Sequence, residues 1–240
     1  MMLGARTAAW AKSGSPTPAY GGLCFTAESA NSSVQLTAEG SPPAVTLVKS
    51  FDGINWEAYA VGEVIDLPST GDLVYLAAGE GGNNAFGKSS RYYHKFVING
   101  LVAASGDITS LRRFDLEQTT LATYCYNSMF NGCTGLTSAP ELPATTLADF
   151  CYASMFRGCT GLTSAPELPA TTLKSRCYAT MFIGCTDLSL IKVHFTAWET
   201  ETNNWVSNVS PTGTFYKPTA LPEEYGTAKI PTGWTVVNID

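Results

Sequence analysis

Hydrophobic positions follow two different rhythms along this chain, and the change falls near residue 105. Before it, apolar and polar residues alternate in short runs: Leu23-Phe25, Val34-Leu36, Val45-Leu47 and Tyr92-His94-Phe96-Ile98. A period of two is the signature of half-buried β-strands. Turn-forming residues separate the runs at Ser41-Pro42-Pro43, Asp52-Gly53, Pro68 through Gly71 and Gly79 through Gly82. Val45 to Tyr59, with Asp52-Gly53 in its middle, reads as a hairpin whose Trp56 covers a sheet. Many short strands between residues 21 and 105 predict an immunoglobulin-like β-sandwich. Cys-Trp-Cys spacing is missing there, so an antibody-type domain is not expected.

Beyond residue 105 the rhythm changes. The phrase C-Y-x-[S/T]-M-F-x-G-C-T begins at Cys125, Cys151 and Cys177, a step of 26 residues. Residues 133–147 and 159–173 are identical in all 15 positions. A strict period in the twenties predicts stacked units, each burying its apolar face against its neighbours. In the middle unit Leu147, Cys151, Met155 and Cys159 stand at i, i+4, i+8 and i+12, with Tyr152 and Phe156 on an adjoining stripe. This spacing predicts a helix of about three turns, roughly 16 Å long. Thr146 and Asp149 form its capping box, and Gly158, like Gly132 and Gly184, ends it in a left-handed residue. A short strand and the return Pro166-Glu167-Leu168-Pro169 complete the unit.

The expected repeat core comprises Cys125, Met129, Phe130, Cys133 and Leu136, then Cys151, Met155, Phe156, Cys159 and Leu162, then Cys177, Met181, Phe182, Cys185 and Leu188. Phe114 to Leu121 aligns with Pro140 to Leu147 and reads as an N-terminal cap. After the last copy Leu188, Ile191, Val193 and Phe195 form a more β-branched strand, onto which Gly213-Thr214-Phe215-Tyr216 and Gly233 through Val237 would pair. The expected organisation is an arm or linker over 1–20, a β-sandwich over 21–105, repeats over 106–198 and a β cap over 199–240. Trp10 is the one large apolar residue of the arm and the candidate docking residue.

Charge narrows the function. The chain has 240 residues, a net charge of −6 and no run of Lys or Arg, which argues against nucleic acid and anionic membrane as partners. No apolar stretch approaches the roughly 18 residues that a membrane helix requires. Near the start, Arg6 and Lys12 bracket only Thr-Ala-Ala-Trp-Ala, too little for a secretory leader, so a chain that does not use the general secretory route is expected. Cysteines number seven, and six are locked to the repeat. That pattern predicts reduced, buried thiols rather than a disulfide framework. Cys24 stands outside the repeat and has no role legible in the sequence.

Catalytic readings find little support. The repeated C-x7-C lacks the tight pairs or adjacent His of a zinc site. His94 and His194, the only imidazoles, belong to no nucleophile motif. Gly79 through Asn84 is too irregular for a phosphate-binding loop. No enzyme activity and no cofactor are therefore expected. The ladders Tyr126/Tyr152/Tyr178 and Phe130/Phe156/Phe182 could stack sugars, but their place beside the Cys-Met stripe favours a buried shoulder. Exposed contacts are expected where equivalent positions differ: Asn131, Arg157 and Ile183; Ala122, Ala148 and Lys174; Tyr124, Phe150 and Arg176.

Met155-Phe156-Arg157-Gly158-Cys159-Thr160-Gly161-Leu162 resembles the M-F-x-G-C-x-x-L core of BspA-like leucine-rich repeats, and all three copies carry it. Such repeats occur in surface proteins of gut Bacteroidales and in proteins of their phages. Leu3 to Gly14 is similar to N-termini of fibre-like or accessory virion proteins from Bacteroidales phages and prophages. Together with the β alternation and the 26-residue period, the resemblance leads us to expect a fold class of α+β and multidomain, an immunoglobulin-like sandwich followed by a short capped α/β leucine-rich-repeat-like solenoid. It also implies a non-enzymatic virion appendage of head- or tail-fibre type, docked through its arm to other virion proteins. Its repeats would bind a host-surface protein or glycan, with room for a homo-oligomer. A bacterial cell-surface adhesin and a purely structural capsid or tail decoration are the alternatives.

Overall fold

The computed structural model describes residues 21–113, 120–198 and 200–239. The arm with Trp10, and most of the expected N-terminal cap at Phe114 to Thr119, lie outside them.

Among the described residues, thirteen strands form three sheets. They are β1 (Cys24–Ala27), β2 (Ser32–Glu39), β3 (Leu47–Ser50), β4 (Glu57–Tyr59), β5 (Val64–Leu67), β6 (Leu73–Ala78), β7 (Gly87–Ser89), β8 (Tyr92–Asn99), β9 (Val102–Ser105), β10 (Leu136–Ser138), β11 (Leu190–Lys192), β12 (Thr214–Lys217) and β13 (Thr235–Asn238). A six-stranded sheet runs β10-β9-β1-β6-β3-β4, a four-stranded sheet β5-β2-β8-β7, and a parallel three-stranded sheet β11-β12-β13. Alternation decides which residues point inward: Val34 and Leu36 on β2 and Phe96 and Ile98 on β8 are buried, with half-buried residues between them. Phe25 and Phe96, from different sheets, meet edge to face at 4.8 Å.

The expected α+β class is overturned. The chain is almost all β, no α-helix forms among the described residues, and the α/β leucine-rich-repeat solenoid does not exist. The immunoglobulin-like assignment falls with it. Neighbouring A and B strands share a sheet in that fold, whereas β1 and β2 here lie in different sheets. The six-stranded sheet also takes in β10, a strand from the first repeat, which pairs in parallel with β9.

The backbone explains why the repeats are not helical. Left-handed residues recur every fourth position: Tyr124, Ser128 and Gly132; Phe150, Ser154 and Gly158; Arg176, Thr180 and Gly184. An α-helix requires right-handed dihedrals throughout and N–H bonds to the fourth residue back. Instead the N–H groups of Cys125, Asn127, Met129, Asn131 and Cys133 each bond the carbonyl three residues earlier, making successive turns. The alternate donors, Tyr126, Ser128, Phe130 and Gly132, reach the carbonyls of Cys151, Ala153, Met155 and Arg157 in the next copy at 2.8–2.9 Å. A four-residue turn period and a 3.6-residue helix place Leu147, Cys151, Met155 and Cys159 on one face alike. Intrinsic propensity separates them: Thr, Ser, Tyr, Phe, Cys and Gly dominate the segment and are weak helix formers. Gly158 is left-handed, with φ of 73°, yet it is one of a series and not a helix end.

One core runs through the whole. Phe86, Tyr126, Tyr152, Tyr178 and Phe195 form an aromatic column with steps of 6.0, 5.8, 6.1 and 6.3 Å. A second runs Phe96, Phe130, Phe156, Phe182 and Trp205, with steps of 5.1, 5.4, 5.8 and 6.1 Å. Each buried ring contributes about 2 kcal/mol from surface removed from water. The first copy docks on the four-stranded sheet as well, since Phe96 N–H bonds the Met129 carbonyl at 2.7 Å.

Candidate functional site

All fifteen expected core residues, from Cys125 to Leu188, are buried to within 2% exposure. The thiols of Cys133, Cys159 and Cys185 each donate to a Phe carbonyl one layer back, Phe96 at 3.2 Å, Phe130 at 3.0 Å and Phe156 at 2.9 Å. Burial pushes the Cys133 and Cys185 thiols up to about 12, and Cys159 upward as well. Cys24 is also buried and free, and burial raises its pKa. These are small apolar packing groups with a weak donor, far from nucleophiles. Tyr126, Tyr152 and Tyr178 are at most 1% exposed, so their faces are closed to any sugar.

The outward positions are different. Arg157, Lys174 and Arg176 are exposed, and Asn131 and Ile183 are half-buried. Structure joins two sets of these and separates them from the third. Gly132, Gly158 and Gly184 approach as a backbone spine, with a Cβ on Gly158 falling 3.7 Å from the Gly132 Cα. Asn131, Arg157 and Ile183 each precede a member of this spine. At the other end of each copy, Tyr124 and Phe150 stack at 4.7 Å with planes 11° apart, and the Arg176 guanidinium lies 5.7 Å from the Phe150 ring centre. Lys174 and Ser175 are exposed beside it.

This ladder, with Arg176 exposed and Tyr124 and Phe150 half-buried, is only half legible in the sequence: the 26-residue step aligns its members, but the stacking follows from backbone geometry. Tyr124, Phe150 and Arg176 have φ of 56°, 56° and 53°. A left-handed non-glycine residue costs about 1–2 kcal/mol. Of the other two left-handed corners in each copy, one holds Gly and the other a small Ser or Thr (Ser128, Ser154, Thr180), and the segment after the third copy uses Asn204 and Asn208. Large side chains are thus held where Gly or Asn would be cheaper, at an edge where Arg176 is exposed and Tyr124 and Phe150 are half-buried.

The segment after the third copy was missed as a further layer. Tyr178, Thr180, Phe182 and Gly184 donate to the carbonyls of Glu201, Asn203, Trp205 and Ser207. The offset there is 23 residues instead of 25, and the Cys-Met phrase is gone, so only the left-handed Asn204 and Asn208 mark it. On the return side, Glu167 bonds both Lys192, at 2.9 Å, and His194, at 2.5 Å, and these hydrogen bonds, that to Lys192 first, lower its pKa.

No family model, curated protein or solved structure matches the chain.

Proposed function

We propose that this chain is a non-enzymatic component of a phage virion appendage, whose repeat edge makes contact with the host surface. The observation that carries the contact role is the division between an invariant interior and a varied exterior. Cys, Met and Phe recur unchanged in the buried columns, while Tyr124/Phe150/Arg176 and Asn131/Arg157/Ile183 vary at equivalent outward positions. Continuous aromatic columns make the edge a rigid platform, so little ordering entropy is lost on contact. Many copies on one particle would convert weak single contacts into firm attachment. The virion assignment draws on the resemblance of the M-F-x-G-C phrases and of Leu3 to Gly14 to phage proteins.

Mass spectrometry of purified particles tests this reading. The chain should be present in them, and the isolated protein should compete with the particles for host cells. Detection in host cells alone, with particles lacking the chain, would contradict the virion assignment.

A further inference from the structure

We propose that the Tyr124–Phe150–Arg176 edge is a binding site for an acidic saccharide, with Arg176 receiving the sugar carboxylate. The proposal rests on the reading of the repeat edge as the contact surface and names its ligand class.

Three features carry it. The ladder is assembled from bulky side chains at left-handed backbone positions, which turn, packing and folding would fill more cheaply with Gly or Asn. Ser128, Ser154 and Thr180 take the same φ with small side chains, so it is the size of Tyr124, Phe150 and Arg176 that the turn does not require and that points to a role for the side chain. Next, the Phe150 ring is engaged twice: Tyr124 stacks on it at 4.7 Å and the Arg176 guanidinium lies 5.7 Å from its centre. What remains for a ligand is the line of edges, the Tyr124 hydroxyl and the N–H groups of a guanidinium held 5.7 Å from the centre of a ring. A preorganised guanidinium binds a carboxylate through two parallel hydrogen bonds. Finally, neither Lys174 nor Arg176 forms an ion pair among the described residues, although the chain as a whole is acidic. Two unpaired cations two residues apart, on a molecule of net charge −6, select an anion. Asp149, exposed on the middle copy, confines that anion to the Lys174–Arg176 end by repulsion.

Size favours a saccharide over a protein. The ladder is roughly 10 Å long, enough for two or three sugar rings but far below the ~800 Å² per partner of a protein interface. Exposed hydroxyls at Thr123 and Ser175, chain neighbours of Tyr124 and Arg176, suit sugar hydroxyls.

The test is an NMR titration of the full chain with trigalacturonate, with neutral galactotriose and with an oligoglutamate of equal charge. Trigalacturonate should shift Tyr124, Phe150 and Arg176, more weakly as salt rises. R176N, which suits the left-handed backbone and keeps the fold, should lose at least about tenfold in affinity. R176K should fall between the two, because it retains charge without the fork. Absence of shifts at the ladder with millimolar trigalacturonate, or equal binding of galactotriose, would overturn the proposal. Tighter binding of oligoglutamate would overturn it in favour of an acidic protein. Host-cell binding that persists unchanged in R176N would leave the contact reading standing and remove the saccharide site.

Discussion

The thiol of Cys159 lies 3.0 Å from the carbonyl oxygen of Phe130, in the preceding copy. The same oxygen accepts the N–H of Cys133 at 3.1 Å, and the Phe156 carbonyl likewise takes the Cys159 N–H and the Cys185 thiol, so these two carbonyls each serve their own turn and also the next layer. This double use gives a physical reason for Cys in every copy. The side chain must be small enough for the layer spacing and must carry a donor. Cys159→Ala should cost about 1 kcal/mol, since one bond of two and a small volume are lost. The more specific check is infrared: the native S–H stretching bands should lie below that of an unbonded thiol, and C159A should remove one shifted component.

Met155 is fully buried in the stripe shared by the turns. Met155→Asp places a carboxyl in that column without a partner and should unfold the repeats. Met155→Leu conserves volume and should cost less than about 1.5 kcal/mol. Urea denaturation of the two variants checks the contrast. Equal midpoints for Asp and wild type would refute the burial.

Gly158 isolates the cost of the left-handed turn. A Cβ there would meet the Gly132 Cα at 3.7 Å, an ordinary contact, so Gly158→Ala tests backbone conformation with little steric effect. With φ of 73°, the variant should lose about 1–2 kcal/mol. A loss near zero in chemical denaturation would mean that the turn is not left-handed in solution.

How far the sequence carries the reader differs by level. The 26-residue period and the apolar faces are legible, because burial repeats wherever Cys, Met and Phe repeat. Local conformation is not, because Leu147, Cys151, Met155 and Cys159 face one way in a helix and in a train of four-residue turns. What distinguishes them is a left-handed φ at Phe150 and Ser154, residues that give no sign of it by type. The continuity of the sheets is hidden for another reason: Leu136 on β10 pairs with Val102 on β9, a contact that no local pattern announces. The Tyr124–Phe150–Arg176 ladder lies between these cases. Its members are aligned by the period, yet Tyr, Phe and Arg share no chemistry that would mark them as a set.

His94 makes stability depend on pH. Burial of its ring lowers its pKa from the ordinary 6.5, while the bond of Nδ1 to the Phe86 carbonyl, at 3.0 Å, works in the opposite direction. The unfolded chain therefore binds a proton more readily than the folded one. Stability from this group is complete above pH 6.5 and declines as pH falls below it, toward the lowered folded value. Urea midpoints should drop between pH 7 and pH 5.5, above the range of most carboxylates, and His94→Gln should flatten that slope.

The register of the stack can be read directly from scalar couplings across hydrogen bonds, between an amide nitrogen and the carbonyl carbon that receives its proton. Phe156 N should couple to the carbonyl carbon of Met181, one copy on, at a donor–acceptor distance of 3.0 Å. A coupling from Phe156 N to the carbonyl of Tyr152, four residues back, would mean an α-helix and would contradict the stacked turns on which the edge, its ladder and its ligand all depend.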